Sequence, residues 1–206
     1  MISLKYHCVF VKIPKTAGTS VAIALQCQSL GKPHRNIREL RDLIHAMPAS
    51  ADPEKGDPRR FYTDFYKFGF VRNPWSRVVS LYLRREGIQM RNRMSFEQFV
   101  NWIQNASDTC VHPSVHRNQR DWFLNAEGEN AVDFVGKFEN LDADFGHLAT
   151  HLGAQHIQLP HKRKNQKYRK HYTEYFTAET REMVADKFSV DIKAFGYTFD
   201  GSLSLT

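Results

Sequence analysis

Two short stretches carry the residue types that grip phosphate. The first is KIPKTAGTS (12–20), which follows an apolar, β-branched run and leads into a helix-forming one. Backbone N–H groups at a helix start converge on one spot and, with the helix dipole, form an anion site. Gly18 lets the backbone approach a ligand closely. Thr16, Thr19 and Ser20 add hydroxyls, and Lys15 puts a positive charge at the mouth. The second stretch is FGFVRNPWSRVVSLY (68–82). Arg72 stands at the carboxyl end of an apolar strand, where ligands collect in open α/β sheets. Its planar guanidinium suits a phosphate monoester, and Ser80 on the following helix can add a hydroxyl to the same group. A nucleotide triphosphatase loop needs GxxxxGK[ST]. Here the lysine precedes the glycine and no glycine opens the motif, so a different phosphate binder fits better. The plainer alternatives are an ordinary helix start, an Arg72–carboxylate pair and a solvent-facing Ser80.

The elements that must position these residues follow from pattern and punctuation. Residues 7–13 read as a buried parallel strand. Residues 14–18 break it, and a helix is predicted over 19–30 with Gly31 as its stop. Asn36 caps a second helix, with Ile37, Leu40, Leu43, Ile44 and Met47 on one face. Residues 48–60 are a surface loop. A strand over 68–71 is followed by a helix with Asn73 as cap and Pro74 in first position, running to roughly residue 85. Ser95 and Gln98 form a capping box for a helix to 104, and 108–117 is an irregular loop. A third strand is predicted over 132–138, a helix over 140–152 ended by Gly153, and a last helix capped by Thr177 and running to about 188. Strand–loop–helix thus occurs twice near the start. The alternation predicts one α/β domain over 1–206, with a mainly parallel central sheet and helices on both faces.

Composition narrows the classes. The 206 residues are 41% hydrophobic and 13% aromatic, enough for a packed core and unlike a disordered or repetitive chain. The net charge of +7 favours anionic partners: nucleic acid, acidic polysaccharide, anionic lipid or a polyphosphorylated nucleotide. The three cysteines, Cys8, Cys27 and Cys110, form no CxxC and are odd in number, which predicts free thiols and a reducing compartment. No apolar run approaches the ~18–20 residues of a membrane helix, and the first residues lead straight into a strand. A soluble, cytoplasmic chain is predicted. No acidic cluster suited to a metal is visible.

Taken together, the two phosphate stretches resemble those of the PAPS-dependent sulfotransferases, in the branch that includes carbohydrate and heparan sulfate 2-O-sulfotransferases; PAPS is 3′-phosphoadenosine-5′-phosphosulfate. IPKTAGTS is similar to their 5′-phosphosulfate loop, and FGFVRNPWSRVVSLY to their 3′-phosphate motif. VDFVGKFENLDADFGHLATHLG (132–153) and DIKAFGYTF (191–199) resemble the same branch. The resemblance implies a P-loop-like three-layer fold and PAPS as donor without a metal. It implies that Lys15, Thr16, Ala17, Gly18, Thr19 and Ser20 hold the 5′-phosphosulfate, and Arg72 and Ser80 the 3′-phosphate. Lys15 would stabilise the leaving group. His34 is the candidate general base, with His112 and His116, in a stretch similar to the acceptor side, as its rivals and as substrate contacts. The basic run HKRKNQKYRK (161–170) would place Arg163, Lys164 and Asn165 near the cofactor or an anionic acceptor; a solvated loop or a nucleic-acid arm are its other readings. Glu139 reads as a carboxylate at a helix start. Two other functions share the residue types. A nucleotide kinase or hydrolase requires ATP and magnesium. A non-catalytic module for anionic glycan or nucleic acid has no need of Lys15.

Overall fold

Cys8, Val9, Phe10 and Val11 are all fully buried, and an unbroken apolar run of this length suits a strand covered on both faces. The computed structural model describes residues 1–48, 60–83, 94–105, 116–160 and 170–201. Its strands are β1 (Ile2–Ser3), β2 (Cys8–Val11), β3 (Tyr66–Val71) and β4 (Phe134–Lys137). Its α-helices are α1 (Gly18–Ala24), α2 (Ile37–His45), α3 (Arg60–Asp64), α4 (Pro74–Tyr82), α5 (Phe96–Asn105), α6 (Leu141–His151), α7 (Ala178–Lys187) and α8 (Ser189–Phe195). The chain divides into two compact units, one of Met1–Val71 with Asp121–Lys162, the other of Arg72–Arg120 with Arg163–Thr206.

The first unit holds the sheet, in the order β1-β2-β3-β4. β2, β3 and β4 are parallel, with Phe10 opposite Phe68 and Phe68 opposite Phe134. β1 is antiparallel to β2. This is the predicted α/β class with a mainly parallel sheet. Cys8, Phe10, Phe68 and Phe70 share a core with Val21 and Ala24 of α1 and with Phe145, Leu148 and Ala149 of α6. The Phe10 and Phe68 rings stack at 4.8 Å. A Cβ at Gly136 would stand 2.4 Å from the Phe70 ring, so the glycine in β4 is what lets that ring lie against the sheet. Side chains alternate across a strand, so Val9 and Val11 face the other way, and α2 packs against β2 with Ile37, Leu40 and Ile44 buried.

Local signals set several boundaries as read. Asn36 and Glu39 cap α2 reciprocally, each side chain accepting the other's backbone N–H at 2.9 Å. Ser95 and Gln98 do the same for α5, and Thr177 caps α7. Others differ. The helix expected over 19–30 stops at Ala24, with Gln26 in the left-handed region at φ 51°. The cause is a competing partner. Gln28 exchanges both backbone hydrogen bonds with Ile2, at 2.7 and 2.9 Å, which pulls the chain out of the helix. The strands expected over 7–13 and 132–138 contract to four residues each. β1, α3 and α8 have no counterpart in the sequence reading. The loops expected over 49–59, 108–115 and 161–169, and the expected continuation of α4 beyond Leu83, lie outside the described residues.

The second unit is helical among the described residues. Trp75 Nε1 donates to the Arg181 carbonyl at 3.0 Å and Gln104 Nε2 to the Met183 carbonyl at 3.0 Å, which ties α4 and α5 to α7. Among the described residues, no helix is long and apolar enough to cross a membrane. Cys8 and Cys27 are free thiols. The Cys8 thiol is pushed up by its hydrogen bond to Cys27 and by burial, and the same bond holds Cys27 down. Cys110 lies outside the described residues.

Candidate active site

In the first unit, the chain leaving β2 turns tightly. Ile13 N–H reaches back to the Val11 carbonyl at 3.2 Å. Two non-glycine residues then take left-handed backbone, Lys15 at φ 73° and Ala17 at φ 61°. Such positions cost about 1–2 kcal/mol each, and alternation of this kind forms a nest of backbone N–H groups suited to an anion. α1 begins immediately afterwards. Its cap residue Ala17 supplies no side-chain acceptor, and no acidic residue stands in its first turn. The leading N–H groups of a helix have no intrahelical partner. Among the described residues, the cap of α1 carries no side-chain oxygen and its first turn no carboxylate, while the Ser20 N–H turns back to the Ala17 carbonyl at 2.9 Å; the loop fits a phosphate or sulfate group.

Lys15 is half-buried at this turn, as are Ala17 and Ser20, whereas Thr19 is exposed. Thr16 is placed differently from its sequence reading as a ligand donor. Its fully buried hydroxyl donates to the Ile13 carbonyl at 2.9 Å, so it braces the loop from inside. Gly18 is needed for space. A Cβ there would stand 2.7 Å from Lys12 Cγ and 3.2 Å from Lys12 Cε, so the lysine stem lies directly across it. Burial lowers the pKa of the Lys12 amine from its ordinary value.

Lys12 also connects the loop to His34. His34 Nδ1 lies 2.8 Å from the Lys12 carbonyl. A carbonyl oxygen only accepts, so Nδ1 carries the hydrogen and Nε2 is the basic nitrogen of the neutral ring. A contact across 22 residues thus fixes both the tautomer and the place of the predicted base, beside the start of the loop between β2 and α1. Lys12 had no functional role in the sequence reading. Its signal was position alone, two residues ahead of the Pro14 break.

In the second unit, Arg72 is held at several atoms. Its N–H donates to Gln119 Oε1 at 2.9 Å, and its carbonyl accepts from Gln119 Nε2 at 2.8 Å. Its Nε donates to Ser76 Oγ at 3.0 Å. Asn73 caps α4, accepting from the N–H groups of Trp75 and Ser76, and donates to the Thr198 carbonyl at 2.8 Å. Ser80 lies half-buried on α4, two turns beyond Arg72. Deeper in the same unit Asp191 accepts from Gln119 and Arg120. Burial raises the Asp191 carboxyl above its ordinary range, against the pull of those donors and of Arg77. Burial likewise brings the Arg77 guanidinium down to about 10.

His116 is half-buried in this second unit, and Glu139 is exposed in the short turn before α6. His112, Arg163, Lys164 and Asn165 lie outside the described residues. Among the described residues, no three of His, Cys, Asp and Glu are grouped as a metal site would require.

A mainly parallel sheet, with a loop of nest geometry at the carboxyl end of β2, defines an α/β protein of the open-sheet class. The model of the sulfotransferase family matches residues 1–198, across both units. The chain belongs to the sulfotransferase family, whose activity class is sulfuryl transfer. It is also 31% identical, over 97 residues, to an uncharacterized protein of Archaeoglobus fulgidus; the alignment covers 46% of this chain and 73% of that protein. No solved structure matches the chain.

Proposed function

We propose that this protein moves a sulfuryl group from PAPS to an acceptor hydroxyl, on a carbohydrate or glycolipid, and releases adenosine 3′,5′-bisphosphate (PAP). The reading treats residues 1–206 as one sulfotransferase domain, which the family match across both units supports. It gives the 5′-phosphosulfate to Lys15, Ala17, Gly18, Thr19 and Ser20 with the backbone, not the hydroxyl, of Thr16, and the 3′-phosphate to Arg72 and Ser80. Arg163 and Lys164 add positive charge for the donor, and His112 and His116 line the acceptor side. The similarity of 132–153 and 191–199 to the carbohydrate and heparan sulfate 2-O branch supports a sugar hydroxyl.

In this reading His34 Nε2 takes the hydroxyl proton as the acceptor oxygen bonds to sulfur. The bond from sulfur to the 5′-phosphate oxygen breaks, and the Lys15 ammonium meets the charge left there. The observation that carries the proposal is the loop from Ile13 to Gly18: a nest leading into a helix with no side-chain cap and no carboxylate in its first turn, with His34 tied to Lys12 just ahead of it.

A ligand that binds only the folded state raises its melting temperature, so thermal shift with PAP, PAPS, AMP and ATP tests the donor. PAP and PAPS are expected to stabilise the protein well beyond AMP, without magnesium. A shift with ATP and magnesium alone would replace the reading with a kinase or hydrolase. Transfer of labelled sulfate from PAPS to a panel of oligosaccharides then tests the acceptor.

A further inference from the structure

The side chain of Gln119 is fully buried, and its amide spends both of its polar atoms on one residue. Oε1 accepts the Arg72 N–H at 2.9 Å and Nε2 donates to the Arg72 carbonyl at 2.8 Å. The pairing copies what a neighbouring strand would provide, at the point where β3 has ended. The amide cannot turn over, because Nε2 also donates to Asp191 Oδ2 at 3.2 Å. A carboxylate accepts only, so the nitrogen must face Asp191 and the oxygen must face the Arg72 N–H. Asp191 is itself buried and anchored to the main chain, Oδ2 accepting from Gln119 N–H at 2.8 Å and Oδ1 from Arg120 N–H at 2.9 Å. Ser76 then orients the Arg72 side chain through Nε.

We propose that Gln119, locked by Asp191, is the positioning residue for Arg72, and that this clamp sets the protein's preference for a 3′-phosphorylated nucleotide. The inference rests on the assignment of Arg72 to the 3′-phosphate. A guanidinium gives a phosphate its full hydrogen-bonding geometry only when its backbone is fixed, and misplacement by about 1 Å is enough to cost on the order of a hundredfold where geometry is critical.

The test is calorimetric titration of PAP and AMP, which differ only in the 3′-phosphate, on the full chain. The wild type is expected to prefer PAP. Arg72→Ala is expected to abolish the preference. Gln119→Ala is expected to reduce it about tenfold or more, with AMP affinity within about twofold of wild type, and the double variant to lose no more than Arg72→Ala alone. A merely structural role would weaken both nucleotides alike. Retention of the preference in Gln119→Ala, with Arg72→Ala losing it, would overturn the clamp while leaving the donor assignment standing. A wild type that binds PAP and AMP equally would sink both. Where Gln119→Ala does not fold, amide hydrogen exchange on the nucleotide-free wild type decides. The Arg72 amide is expected to be strongly protected, and exchange at the rate of an open loop overturns the proposal.

Discussion

Replacing Asp191 with alanine is expected to destabilise the protein by about 3–5 kcal/mol, and the figure follows from what the carboxylate holds. Its loss strips the acceptor from the Gln119 N–H and from one Gln119 Nε2 hydrogen, both in a fully buried residue. Each orphaned donor costs about 1–3 kcal/mol. Arg120 is exposed, so its N–H exchanges Asp191 for water at little cost. Arg77, 1% exposed, also loses the negative charge that offsets part of its burial. These contributions overlap, and relief of the carboxylate's own burial offsets part of them. In a chain of this size the net loss lowers the melting temperature by roughly 6–20 °C. Asp191→Asn should lose less. Its remaining oxygen can stay on the two Gln119 donors and turn the amide nitrogen towards Arg120. The pH dependence has a definite sign. Burial raises the Asp191 pKa above its ordinary value of 3.8, so the folded state binds this proton more tightly than the unfolded chain. Its contribution is therefore largest below the ordinary carboxylate pKa and is lost as pH rises through the raised value. The stability gap between wild type and Asp191→Asn should widen on acidification from neutrality, measured by urea unfolding. An Asp191→Ala protein within about 1 kcal/mol of wild type would refute the reasoning.

Three further outcomes are expected. Lys15→Ala should lower the single-turnover rate of sulfate transfer by ~10²–10³, with a much smaller loss of PAP affinity; equal losses in both would make Lys15 a binding residue only. His34→Ala should abolish turnover yet leave PAP affinity within about threefold, because the Lys12 carbonyl it releases can take a water; near-normal turnover would pass the role of base to His112 or His116. Gly18→Ala should weaken PAP about tenfold or more with little change in melting temperature. The displaced Lys12 stem costs about 1–3 kcal/mol, which the better helix propensity of alanine offsets by about 1 kcal/mol; unchanged PAP binding would show that the backbone at Gly18 does not approach the nucleotide.

The parts of this fold that could be read from sequence are those fixed by neighbours in the chain. Asn36 with Glu39, Ser95 with Gln98, and Thr177 announce helix starts because a cap is made within three residues. The strand–turn–helix unit of β2 and α1 was legible for the same reason: the strand, the break at Pro14 and the helix start are contiguous. What sequence could not supply depends on distant pairing. The end of α1 is decided by Ile2, which captures Gln28. The hydroxyl of Thr16 was read as a ligand group because its type and place allow it, and only the fold shows it turned inward to Ile13. Gln119 and Asp191 are 72 residues apart, and although Asp191 opens the family-like stretch 191–199, nothing local marks the two as buried partners.

The loop's strain also has a consequence for how it works. Lys15 and Ala17 both occupy left-handed backbone without being glycine, at about 1–2 kcal/mol each, so a free segment of this sequence would relax out of the shape. It is held by a buried framework: the Thr16 hydroxyl on the Ile13 carbonyl, the fully buried side chain of Ile13, and the Lys12 stem across Gly18. Each of these contacts is made within the chain itself. The strain is therefore offset by contacts inside the fold, and under the proposed function a phosphate reaching the nest would need no rearrangement of this framework. Preorganised dipoles stabilise developing charge without the reorganisation that water would require, so under the proposed function the brace at Thr16 would serve the chemistry although its hydroxyl is turned inward to Ile13.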